Sequence, residues 1–137
     1  MPTPDEVNAA LQQEWPGARC ACVEVTSESA AAVIPTSDDD LRPGGHVSGP
    51  TLFAAADAAL WFLAFGVADR IVPLALTSDL SIRFLRPARG RAVRARAVLN
   101  GATRRTVVGT VTLWMDDDED APCATAQGTY VVPAHHA

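Results

Sequence analysis

Residues 50–68 read PTLFAAADAALWFLAFGVA, an apolar run broken by one charge, Asp57. Proline suits the first turn of a helix, Ala, Leu and Phe fill the rest, and the helix winds down between Gly66 and Arg70, so the stretch predicts one long helix. Its length is close to the roughly 20 residues that span a bilayer, yet an Asp at the centre costs about 3 kcal/mol on insertion scales. The sequence therefore predicts a helix that is apolar nearly all round because it is buried inside a soluble fold.

No other charge lies between Pro50 and Ala68, so Asp57 faces a large desolvation penalty unless the helix turns it toward a cavity. A carboxylate kept at such a position is a candidate general base or nucleophile. The competing reading is structural: an Asp there can cap a neighbouring element, accept from a buried backbone N–H or face solvent. Trp61 follows at i+4 on the same helix face, where it either lines a ligand pocket or packs into the core.

Outward from this helix, Pro4 to Trp15 reads as a short amphipathic helix stopped by Pro16-Gly17. Cys20 to Ser27 and Ala30 to Pro35 suit a hairpin, and Ser37 to Gly49 is loop by composition. After the long helix the pattern turns to period two. In Leu76 to Leu85, Leu80, Ile82 and Phe84 alternate with Asp79, Ser81 and Arg83. Arg91 to Leu99 alternates again, Asn100-Gly101 is a tight-turn signal, Thr106 to Met115 is a β-branched strand, and Ala124 to Val132 is a last one. The tail from Pro133, with His135-His136, is expected to fray. One helix among consecutive antiparallel strands gives an α+β class, a curved sheet wrapped round that helix.

The 137 residues are 48% hydrophobic and 20% charged, which fits a single domain, 1–137, with a sizeable core. A net charge of -5 argues against general nucleic-acid binding. All 11 basic residues are Arg, and Arg83, Arg86, Arg89, Arg91, Arg94, Arg96, Arg104 and Arg105 fall within 23 positions. Guanidinium forks match phosphate oxygens, so the cluster suits a small phosphorylated ligand; G+C-rich codons or a solvated strand face explain it equally. Arg86, Arg89 and Arg91 flank the Pro87 break and are the candidates for phosphate contact, whereas Arg83 reads as a solvated strand position. Cys20, Cys22 and Cys123 cannot all pair and lack zinc or redox spacing. With no secretory pattern at the N-terminus, a reducing cytoplasm is expected.

Ser48-Gly49-Pro50 places a glycine at the positive end of the helix dipole, where a free N–H can hold a developing oxyanion. Gly49 and Asp57 are eight positions apart, roughly 12 Å along the axis. One helix cannot bring both to one carbonyl, but two antiparallel copies can. A homodimer with two equivalent interfacial sites is therefore expected.

Three segments, Gly44–Asp57 (GGHVSGPTLFAAAD), Thr77–Gly90 (TSDLSIRFLRPARG) and Ala124–Pro133 (ATAQGTYVVP), resemble the hotdog-fold acyl-CoA thioesterases of the phenylacetate-degradation (PaaI-like) type. The likeness runs from about residue 20 to the end. Its most specific parts are the Gly-to-Asp spacing and FLRPA at Phe84 to Ala88. The resemblance implies a bent antiparallel sheet around one helix, dimers or tetramers, and cleavage of an acyl-CoA thioester without metal or organic cofactor. It also implies that Gly49 is the oxyanion-hole glycine, Asp57 the catalytic acid, and Thr77 the hydroxyl that positions water. His46 and Ser48 before the helix, Trp61 on it, and Arg86, Arg89 and Arg91 become candidate substrate contacts.

Two departures stand out. Many relatives have His-Gly-Gly where this chain has Val47-Ser48-Gly49, with His46 one position earlier, and Arg42 replaces an Asn seven positions before the glycine. They favour the rival reading, a hotdog dimer that binds an acyl-CoA or acyl-carrier ligand without turning it over; Asp57, Gly49 and Thr77 oppose it. A hydratase needs a His on this helix and its loop beside Asp57, and the helix supplies none.

Overall fold

Thr3 and Glu6 accept from each other's backbone amides at 3.1 and 3.2 Å, a capping box that starts α1 (Pro4–Glu14). The structure, a computed structural model, describes residues 1–134, so His135 and His136 lie outside the described residues. After α1 come β1 (Ala21–Val25), β2 (Ser29–Pro35), a single 3-10 turn (Asp38–Asp40), and the two-residue strands β3 (Leu41–Arg42) and β4 (His46–Val47). The long helix α2 (Gly49–Ala68) is followed by β5 (Leu76–Phe84), β6 (Ala92–Ala102), β7 (Thr106–Met115) and β8 (Ala124–Val131).

Six strands form one antiparallel sheet in the order β1-β2-β6-β7-β8-β5, and α2 packs against every one of them. Period-two patterning sets the faces. Val93, Ala95 and Ala97 of β6 and Val107, Val111 and Leu113 of β7 are buried under the helix, while Arg94 and Arg96 lie on the other face. Leu60, Phe62, Leu63 and Phe65 of α2 fill the space between, each worth roughly 1.5–3 kcal/mol of burial. The helix that is long and apolar enough to cross a membrane is thus the buried core helix of this fold.

Two glycines let the helix come so close. Gly109 of β7 and Gly128 of β8 pair in register, and a Cβ on either would lie within 2.9 Å of Leu60 side-chain atoms. The helix leucines sit in the dent these glycines leave.

The sheet's two edges differ. At β1, the Asn8 side chain of α1 accepts from Cys22 N at 2.7 Å and donates to Cys22 O at 3.0 Å, which closes part of that edge. At β5 no strand follows, and Leu74, Leu76, Phe84 and Leu85 are exposed, Leu76 by 70%.

The expected tight turn at Asn100-Gly101 is not there. β6 runs through both residues with a register shift between Leu99 and Gly101, and the chain reverses at Thr103–Thr106. The Thr103 hydroxyl accepts from Thr106 N at 3.2 Å and supplies the turn, while the bulge absorbs Asn100, whose side chain accepts from Thr110. The 37–49 segment is also less irregular than its composition suggests, since β3 and β4 pair across Gly44-Gly45, both at positive φ.

Candidate active site

Asp57 lies half-buried at the middle of α2, and two hydroxyls from the sheet meet its carboxylate. Thr77 Oγ1 donates to Oδ1 at 2.5 Å and Tyr130 OH donates to the same oxygen at 2.7 Å. Thr77 comes from the open-edge strand β5, where a register shift between Thr77 and Asp79 allows the strand to aim this side chain at the helix. Tyr130 comes from β8 and is 4% exposed. Burial, with the negative carboxylate beside it, holds the phenol well above its ordinary range, so it stays protonated and donates.

Two cavities open on either side of this carboxylate. One, of about 220 Å³, is lined by Trp15, Arg19, Cys20, Ile34, Ala58 and Trp61 as well as Asp57. The other, of about 350 Å³, is lined by Thr77, Tyr130, Leu74, Leu76, Trp15 and Trp61 with Asp57 again. Trp15 and Trp61 meet edge to face at 6.2 Å between ring centroids and are walls of both. Trp61 is therefore where the i+4 spacing places it, on the face of Asp57. Burial raises the Cys20 thiol, with Asp57 adding to the effect, and pushes Cys22 up to about 12, so neither is a nucleophile at neutral pH.

Gly49 sits at the other end of the helix in a third cavity, of about 320 Å³, with Arg42, His46, Val47, Phe84, Leu85 and Arg86. Its N–H has no acceptor among the described residues, and the Phe84 ring lies over it, 3.2 Å from where a Cβ would stand. None of these three cavities contains both Gly49 and Asp57. Ser48 lines none of the three and instead shares a 3.2 Å hydrogen bond with Thr51. Of the three candidate arginines only Arg86 reaches the Gly49 cavity; Arg89 donates to Gly44 O at 2.7 Å, and Arg91 is exposed beside Asp116, which accepts from its backbone N–H.

Sequence reading passed over Asp40, Arg19, Trp15 and Tyr130. Asp40, 3% exposed, is the hub that fixes the loop before α2. It accepts from Arg19 through both carboxylate oxygens, from Ser37 N at 2.7 Å and from Thr51 Oγ1 at 2.9 Å, while its carbonyl accepts from Ser48 N. The Arg19 guanidinium holds this carboxyl well below the usual range. The hub ties the α1–β1 connection to the first turn of α2, next to Gly49. Among the described residues, no group of three or more His, Cys, Asp or Glu is arranged to hold a metal ion.

An antiparallel sheet of six strands packed against one long helix is the arrangement of hotdog thioesterases. The chain belongs to the thioesterase superfamily, whose family model matches residues 44–122. A candidate thioesterase from Silicibacter sp. has a solved structure similar to this one, with a TM-score of 0.82 at 29% identity over 96% of this chain and 92% of that one. A Haemophilus influenzae thioesterase superposes with a TM-score of 0.81 at 18% identity, over 100% and 96% of the two chains. A variant of the phenylacetic acid degradation protein PaaI from Thermus thermophilus gives 0.68 at 22% identity, over 83% and 93%. The last two likenesses are of fold. No curated protein sequence matches the chain.

Proposed function

We propose that this protein is an acyl-CoA thioesterase of the PaaI-like type that works as a homodimer in the cytoplasm. The observation that carries the reading is the Asp57 carboxylate, held by two hydroxyls on the face of the core helix that opens onto cavities. The homodimer is supported by the separation of Gly49 and Asp57 into different cavities, and by the open, apolar edge of β5. A two-fold axis beside that edge would set Asp57 of one copy against the Gly49 cavity of the other. The Arg42, His46 and Arg86 side chains of that cavity would then face the coenzyme A arm and its phosphates.

In the proposed reaction, Asp57 takes a proton from water as the water oxygen bonds to the thioester carbon. The carbonyl π pair moves onto oxygen, where the Gly49 N–H stabilises it. Collapse breaks the C–S bond, and the coenzyme A thiolate recovers the proton from Asp57, giving free acid and thiol. The alternative route has Asp57 attack the carbon directly, forming a mixed anhydride that water then opens. After a single turnover in ¹⁸O water, label in the Asp57 carboxylate marks the anhydride route, since general-base attack places all of the label in the free acid. Neither route needs a metal or organic cofactor.

Free-thiol release from short, medium, long and aromatic acyl-CoA esters, run on wild type and Asp57→Asn, tests the reading. The expected outcome is turnover of at least one ester and a loss of about a hundredfold or more in the variant. Wild-type protein that binds coenzyme A but cleaves no ester would make it a binding module, the role that Arg42 and Val47 at the Gly49 cavity favour.

A further inference from the structure

The two hydroxyls at Asp57 reach it from different strands, yet they converge on one oxygen. Thr77 and Tyr130 both donate to Oδ1, at 2.5 and 2.7 Å, and the phenol also lies 3.2 Å from the Asp57 main-chain carbonyl. Among the described residues nothing donates to Oδ2. An oxygen that accepts two protons has its lone pairs engaged, whereas its neighbour on the same carbon keeps them for a ligand.

We propose that Tyr130 is a positioning residue: with Thr77 it locks Oδ1, so that Oδ2 is the carboxylate atom that takes the proton from water or attacks the thioester carbon. The inference rests on the thioesterase reading for the word reaction, but not for the contact itself. By bonding both the side chain and the carbonyl of one residue, the phenol fixes the carboxylate against the helix that carries it. It also changes what Thr77 can do. With its one proton committed to Oδ1, that hydroxyl can orient a water only by accepting from it.

The other titratable groups around Asp57 do not reach its carboxylate. Cys20 lines one cavity as a half-buried, protonated thiol, and Glu14 lines the other. Arg19 shares a cavity with Asp57 but is committed to Asp40. None of the three hydrogen-bonds to Asp57.

Tyr130 is the only tyrosine in the chain, so expression with 3-fluorotyrosine labels this position alone. The ¹⁹F resonance of the folded protein is expected to move in Asp57→Asn, where an amide replaces the carboxylate that accepts from the phenol. Tyr130→Phe, assayed on the best ester, should lose about tenfold in kcat with KM within about twofold. A resonance unmoved by Asp57→Asn would overturn the proposal. So would a folded Tyr130→Phe protein with wild-type kcat. Because the resonance is read without substrate, it still judges the contact if no ester is cleaved; turnover with an unmoved resonance would sink the contact alone.

Discussion

Asp40 does for the Gly49 end of the helix what Tyr130 does for the middle: it holds a chain segment in place through a buried carboxylate. Removing Asp40 leaves the Ser37 amide and the Thr51 hydroxyl without their acceptor while half-exposed Arg19 returns to water, so Asp40→Ala is expected to cost about 1–3 kcal/mol in urea-unfolding measurements, and to lower turnover through a loosened loop before α2. The same residue sets an acid limit. Its carboxyl is depressed in the folded protein, so its contribution is complete above the ordinary carboxylate range near about 3.9 and is lost as pH falls through and below it. Thermal melts should therefore show Tm dropping below about pH 4, and Asp40→Asn, already destabilised, should show a flatter acid limb. The sequence makes Asp57 conspicuous because it is the one charge in an apolar run. It hides Asp40 among Asp38 and Asp39, which look like a solvated cluster, and gives no sign that Arg19, 21 positions away, will meet it. Tyr130 is similarly silent: its hydroxyl finds Asp57 across 73 positions, a distance that only folding closes.

Among the elements, α2 and the sheet are coupled by the absence of side chains at Gly109 and Gly128. Gly128→Val would drive its branches into Leu60 and the Asp79 carbonyl, and the expected result is a loss of about 1–3 kcal/mol or failure to fold, read by circular dichroism on heating. The N-terminal helix has a different task. It carries Trp15 to the rim of both cavities at Asp57, where the indole stands on Trp61. On the proposed reading Trp15→Ala should join the two spaces, raising kcat/KM for longer acyl chains relative to short ones; an unchanged chain-length profile would place Trp15 outside the acyl path. Elements of this size were mostly legible. The apolar run of α2 and the alternation in β5 to β8 mark their own limits because each is long enough for its period to repeat. Asn100-Gly101 misleads because a local turn signal competes with ladder hydrogen bonds on either side, and the ladder prevails by taking the extra residue as a bulge.

At the scale of the molecule, the site as proposed is shared, and subunit mixing tests that. Asp57→Asn and Gly49→Val should each be inactive as pure proteins, the second because a side chain there presses on Phe84 and blocks the amide. Mixed and allowed to exchange, they should recover about a quarter of wild-type activity, since half the dimers are hybrid and each hybrid has one site with neither lesion. Mixtures that stay inactive would mean each chain builds its site alone. Leu76→Lys on the open edge should shift the protein to monomer in sedimentation and remove activity with it. The β1 edge, where Asn8 takes the hydrogen bonds of Cys22, then decides how far pairing can go. A sheet with two free borders can add copies without end; one with a single free border is finished after the first addition. The side chain of Asn8 occupies part of that second border, and its loss would free the Cys22 amide and carbonyl for a further copy, felt first as growth into insoluble ribbons under crowded conditions.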